Sequence, residues 1–292
     1  MWALLRRREM IVLRKARRAE ETLSALEEYL ASNGVRLIEL VDKEVESWSE
    51  ISYSELEEII AAGRFDEYIK WREKYAALVN ELVPDLLAAM TLASAKATQD
   101  KIKLTDSLDD VKAWIKTRGA EFVSELSEES KLAVRNIILL WQERLMRPEV
   151  MARQIRPLIG LTGRQMLAVD KYRAKVYNNY MELGSSAAQA SARAEKAALR
   201  YSKRLHKQRA ETIVHTELAF AYNQGADMGV RRAIRRGLMT ECEMVWRTAG
   251  TNRVCGRCMA LKDTVVGRTD EAGVQIPPLH PRCRCTIEYR EL

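Results

Sequence analysis

Apolar residues recur every three or four positions along most of this chain, the period of an amphipathic helix. Leu13, Ala16, Leu23, Leu26 and Leu30 predict one face of a first helix over residues 1 to about 32, stopped by Ser32-Asn33-Gly34. A second helix is expected from Leu37 to Trp48. Ser54-Glu55-Leu56-Glu57 has the capping-box pattern and predicts a helix ending near Gly63. Phe65 to about Ala97 is helical again, with Pro84 as a start or kink. Asp106 to Asp109 caps a helix running to about Lys116, and Ser127 to Ser130 opens another through Trp141 to Met146. Pro148 starts a short helix, and Thr162 with Gln165 caps a longer one carrying Leu167, Tyr172, Val176 and Tyr180 until Gly184. A helix begins near Ala187, and a further one continues to Gly225 or past it. Its apolar stripe is Val214, Leu218, Ala221 and Tyr222, and Val230, Ile234 and Leu238 prolong the spacing to a loosened end at Gly237.

The pattern then changes. Met244 to Thr248 and Cys285 to Tyr289 read as two short strands, with Trp246 as a core residue. Between them lie Cys255-Gly-Arg-Cys258 and His280-Pro-Arg-Cys283-Arg-Cys285. Two close-spaced ligand pairs joined by a loop suit a tetrahedral ion, and sulfur with imidazole favours zinc. The first-choice ligands are Cys255, Cys258, His280 and Cys283. Cys285 is the alternative to Cys283, since in an extended chain the two sulfurs would be roughly 6–7 Å apart. Four protein ligands leave no open position, so the zinc is expected to be structural. The segment from about Thr240 to Leu292 is too small to bury a sufficient core alone. A structural zinc supplies on the order of 10 kcal/mol to such a module. The expected fold is therefore mainly α: a multi-helix body with a small C-terminal α+β zinc-binding module and a two-stranded sheet. Residues 1–146 form an N-terminal helical region and 147–292 a second domain, with the zinc module at about 240–289.

Charge adds a second candidate surface. The 292 residues carry a net charge of +7. Ser191 to Met239 holds 11 Lys+Arg against 4 Asp+Glu, a surplus equal to that of the whole chain. Arg231, Arg232, Arg235, Arg236, Arg204 and Lys207 are the candidate contacts to nucleic-acid phosphates or an acidic partner. The strip has no interleaved aromatics for base stacking, and a solvated helix face is the plainer reading. No run of 18 apolar residues occurs, so no membrane span or membrane partner is expected. The N-terminal charge order is not that of a secretory signal, which predicts reduced thiols.

Two zinc-enzyme readings compete. His215-Thr-Glu217 followed by Cys255-x-x-Cys258 imitates the deaminase pattern, but two residues two apart on a helix point to nearly opposite sides. A nuclease of the HNH type needs a histidine base beside the metal, and only His206 and His215 remain.

Four stretches together resemble the phage Mu F-like minor head proteins, also called phage head morphogenesis proteins. They are Ile155 to Gln165; Arg209 to Glu217 with Asn223 and Gly225; Trp246-Arg-Thr with Asn252 to Cys258; and Pro278 to Cys285. The resemblance covers about residues 147 to 289. It implies a minor capsid protein without catalysis, acting in head morphogenesis and virion assembly. The implied partners are the phage portal protein, other capsid proteins and packaged DNA during packaging or ejection. The implied location is the virion near the portal, and the host cytoplasm during assembly.

Overall fold

The computed structural model describes residues 2–48, 51–62, 70–105, 108–249 and 254–292, with side chains from residue 25 onward except Trp71. Its elements are α1 (Trp2–Ser47), α2 (Tyr53–Ala62), α3 (Trp71–Ala97), α4 (Asp109–Glu143), α5 (Pro148–Ile155), a single turn of 3₁₀-helix (Arg156–Leu158), α6 (Gly163–Glu182), α7 (Ala187–Arg235), β1 (Cys242–Arg247), α8 (Gly256–Ala260), β2 (Val265–Arg268) and β3 (Thr286–Glu291).

Several expected breaks are absent, for one physical reason. Ser32, Asn33 and Gly34 do not end α1. The Ser32 hydroxyl donates to the Glu28 carbonyl at 2.7 Å and the Asn33 amide to that of Tyr29 at 3.2 Å, so both side chains bond back along a continuing helix. Leu30, Leu37, Val41 and Val45 are buried on one stripe that runs through this point. Likewise Ser127 and Ser130 lie inside α4, fully buried, where Ser130 shares a 2.7 Å hydrogen bond with the Tyr75 hydroxyl. The two helices expected after Ala187 are one helix of 49 residues. Burial of an apolar stripe outweighs a local terminating preference of a few tenths to about one kcal/mol. At α2 the cap is Ser52 rather than Ser54: its hydroxyl accepts from the Glu55 amide at 3.2 Å. Pro84 falls inside α3. The side chains of Leu13, Ala16 and Leu23, and the segments 63–69 and 106–107, lie outside the described residues.

Other signals are met. Thr162 and Gln165 form both halves of a capping box, at 3.2 and 3.1 Å. Gly237 closes α7 with positive φ, and the Leu238 and Gly237 amides bond to the Ala233 and Ile234 carbonyls, each at 2.9 Å. The segment Arg72–Ala97 is long and apolar enough to cross a membrane by length and composition, contrary to expectation. However, its Tyr75, Leu78, Leu82, Leu86, Ala89, Met90 and Ala93 are buried within the protein.

The chain divides into two compact units. One comprises Met1–Leu37, Leu82–Ile115 and Thr212–Leu292; the other comprises Ile38–Glu81 and Lys116–Glu211. Each draws on both sides of residue 146, and the two interleave along the chain.

In the first unit, α7 approaches α3 at two glycines. A Cβ at Gly225 would lie 2.4 Å from the Met90 Cα, and one at Gly229 would lie 2.6 Å from the Ser94 Cβ. Only glycine admits such closeness. The strands form an antiparallel sheet in the order β2-β1-β3. Met244, Val245 and Trp246 face Tyr289, Glu288 and Ile287 across β1 and β3. The sheet thus has a third strand, β2, that the expected pair lacked: four residues including Gly267, too short for alternation to reveal. In the second unit, Tyr75 meets Trp48 and Phe122 edge to face at 4.7 and 6.3 Å. Arg209 is buried beside it and pairs with Glu129 at 2.9 Å. The Trp141 indole and Arg144 both donate to Asp170, at 3.0 and 2.7 Å.

Candidate metal centre

The sheet places two loops of the first unit against each other. The β1–α8 loop ends at Cys255, which caps the single-turn α8, and its sulfur accepts from the Cys258 amide at 3.4 Å. One turn of helix puts Cys255 and Cys258 on the same side. The second loop enters β3 through His280, Cys283 and Cys285. A turn here is closed by the Cys283 amide on the His280 carbonyl at 3.1 Å, with Arg282 at positive φ.

α7 holds this second loop from outside. The Arg282 amide donates to the Thr216 hydroxyl at 3.0 Å, and the Asn223 amide donates to the Cys285 carbonyl at 3.1 Å. Thr216 and Asn223 are seven residues apart, hence on one helix face. Nothing in the spacing of the cysteines points to these two anchors. Both do fall among the residues that carry the family resemblance, Thr216 within Arg209 to Glu217 and Asn223 beyond it.

The five candidate ligands fall into two overlapping groups. His280 Nε2 lies 3.2 Å from Cys255 Sγ and 3.4 Å from Cys258 Sγ, and Cys258 Sγ lies 3.8 Å from Cys283 Sγ. Two thiolates bound at about 2.3 Å to one tetrahedral ion are themselves about 3.8 Å apart. Cys255, Cys258 and His280 form one group with all ligand atoms within 4.8 Å of each other, and Cys258, Cys283 and Cys285 form a second. Cys258 belongs to both. The sulfurs of Cys283 and Cys285 are thus closer than the extended-chain estimate, since their ligand atoms lie within 4.8 Å of each other.

The donor chemistry fits a thiophilic ion such as zinc. His280 Nδ1 donates to the Pro281 carbonyl at 2.9 Å, which leaves Nε2 as the free acceptor facing the sulfurs. That hydrogen bond is also the main reason the His280 pKa is raised. The Cys255 thiol is pulled down, chiefly by the Cys258 amide, and burial pushes Cys258 up to about 12. The Cys285 thiol donates to the Cys283 sulfur, lowering Cys283 to about 5 and raising Cys285. All five cysteines are free, and Cys242, buried in β1, belongs to neither group.

The competing enzyme arrangements find no support in the geometry. His215 and Glu217 both lie within α7, and neither His206 nor His215 joins either ligand group. Trp246 is fully buried, as expected of a core residue. The basic candidates are dispersed. Arg231 is bound to Asp227 and the Thr269 carbonyl, and Arg232 lies 3.4 Å from Asp110. Arg235 and Arg236 are exposed at the end of α7, while Arg204 and Lys207, also exposed, belong to the second unit.

No curated protein and no solved structure matches this chain. The family model described as Phage Mu protein F like protein matches residues 147–288, a stretch containing both ligand pairs, β1, β2 and all of α7. Residues 147–288, just under half of the chain, are thus a stretch of the Phage Mu protein F-like family.

Proposed function

We propose that this protein is a structural, non-catalytic component of a tailed-phage head, associated with the portal, whose C-terminal module is fastened by one zinc ion. The observation that carries the reading is the coincidence of the family match with the ligand cluster: the matched stretch contains both ligand groups, which overlap at Cys258. Zinc would be held by Cys255, Cys258, His280 and Cys283, with Cys285 as donor to the Cys283 sulfur. Bound there, it supplies cross-linking of the two loops and no chemistry. The chain's own residues do the rest: Thr216 and Asn223 fix the second loop to α7, and Pro281 orients the imidazole.

The role in head morphogenesis is inferred from the family. Portal association, contact with other capsid proteins, contact with packaged DNA and location in the virion near the portal belong to the same proposal. Two measurements test it together. Purified particles assembled with the tagged chain are expected to contain it, and the isolated portal protein is expected to retain it in a pull-down. Elemental assay of the purified chain is expected to give one zinc per chain. Particles that mature without the chain, or a folded preparation without zinc, would overturn the corresponding half.

A further inference from the structure

Arg193, Lys196, Arg200, Arg204 and Lys207 follow one another along α7 at steps of three, four, four and three residues. At 100° per residue they fall within an arc of about 80°, and at 1.5 Å per residue the stripe is about 21 Å long. All five are exposed. Gln189 and Glu211 hold the next positions at either end and close it. Among the described residues none of the five forms an ion pair. The neighbouring Lys203 and Arg209, off the stripe, are paired with Glu46 and Glu129 at 3.4 and 2.9 Å. Lys207 also acts electrostatically on Asp42.

Tyrosines from α6 and α7 organise the arginines. The Arg193 guanidinium lies 4.4 Å over the Tyr180 ring and that of Arg204 lies 4.9 Å over Tyr201. Such stacking holds the planar fork outward at little further entropic cost. Beside the middle of the stripe is a cavity of about 560 Å³ lined by Ala168, Tyr172, Ala197, Arg200, Tyr201 and Arg204. None of these is a carboxylate. The expectation of a strip without interleaved aromatics is thus corrected: Tyr201 lies within it beside Arg200, and the neighbouring helix adds Tyr172 and Tyr180. Their ring faces are partly taken, since Arg204 covers Tyr201 and Tyr172 meets Tyr201 edge to face at 5.0 Å. The cavity offers donors to an anion and little bare ring to a base.

We propose that this stripe binds the sugar-phosphate backbone of duplex DNA, with one phosphate in the cavity between Arg200 and Arg204. A straight row of cations at four- to six-ångström steps follows a regular backbone, and arginine and tyrosine donors position a duplex without reading its sequence. A single strand depends on base stacking, which the occupied rings disfavour. The proposal deepens the reading as a head component, since it names the cargo that would lie against the protein.

The test is fluorescence anisotropy of the full chain with a labelled 20-base-pair duplex at increasing salt. Five phosphate contacts predict a slope of log K against log salt near −4.5, or a loss of about 500-fold between 50 and 200 mM salt. Arg200→Gln with Arg204→Gln removes two contacts and is expected to lower the slope to about −2.7 and that loss to about 40-fold. Arg200→Lys with Arg204→Lys keeps the slope, and Arg235→Gln with Arg236→Gln leaves binding unchanged. Circular dichroism identical to wild type shows that the surface changes leave the fold intact. An unaltered slope in the double glutamine variant, or equal loss in the Arg235 and Arg236 control, overturns the proposal. So does a thymidine 20-mer bound as tightly as the duplex. Incorporation of the double glutamine variant into particles separates the two readings. A variant that enters heads but has lost duplex binding supports both. Absence of the wild-type chain from heads defeats the assembly role while leaving the stripe to stand on its binding data.

Discussion

Replacing Cys258 by serine is the most informative single change, because its sulfur is shared by both ligand groups. Serine is a poor zinc ligand, and the side chain sits at 1 % exposure, so no water-exposed residue replaces it. The sulfur lies 3.4 Å from His280 Nε2 and 3.8 Å from Cys283 Sγ, so in the proposed centre its removal would open one corner and strand the other three ligands. A structural zinc contributes on the order of 10 kcal/mol of folding free energy to a small module at neutral pH. Only part of that is expressed, because α7 also holds the second loop through Thr216 and Asn223. By mass action, free zinc at 100 to 1,000 times its dissociation constant stabilises the wild type by about 2.7 to 4.1 kcal/mol over the metal-free state. The assay is thermal melting of wild type and Cys258→Ser, each with and without a strong chelator. The chelator is expected to lower the wild-type transition to that of the variant and to leave the variant where it was. Four coincident melting curves, alongside wild-type protein lacking zinc, would sink the metal-centre argument altogether.

Three other changes probe the scaffold. Gly225→Ala would place a methyl against the Met90 backbone and is expected to cost about 1–3 kcal/mol in urea denaturation, where a loss under a few tenths would show that the helices can part freely. Thr162→Ala removes half of a capping box and is expected to cost about 1 kcal/mol, with Thr162→Ser close to neutral. His206 is half-buried, which lowers its pKa, and its Nε2 lies 3.1 Å from the Pro157 carbonyl. The folded state therefore binds its proton less readily than the unfolded chain. Its contribution to stability is complete above the unfolded pKa near 6.5 and is lost as pH falls from there through the folded value, by up to about 1.4 kcal/mol per pH unit. His206→Asn should flatten that part of the urea-midpoint profile between pH 7.5 and 5.5, and an equally steep profile in the variant would assign the dependence elsewhere.

Helical period, the two ligand pairs and the family motifs are local properties, and the sequence by itself determined them. The α6 cap at Thr162, the glycine end of α7 and strands near Met244 and Thr286 stand where the linear signals place them. Local terminators were the least dependable signals, because burial of Leu37 beyond Gly34, and of Ser130 against Tyr75, holds the backbone helical through residues that alone would end it. The meeting of the two ligand pairs was legible in their spacing, but the closeness of Cys285 to Cys283 was not. The placement of the loop carrying them depends on a left-handed turn at Arg282, held by Thr216, 66 positions away in the chain. The same holds for the basic residues. Counting charges finds the surplus, but only tertiary structure decides that Arg231 and Arg232 are committed to internal partners while Arg200 and Arg204 border an open cavity. A side chain's charge is fixed by its identity. Whether that charge is available to a ligand depends on neighbours brought by distant segments, and no window of sequence contains them.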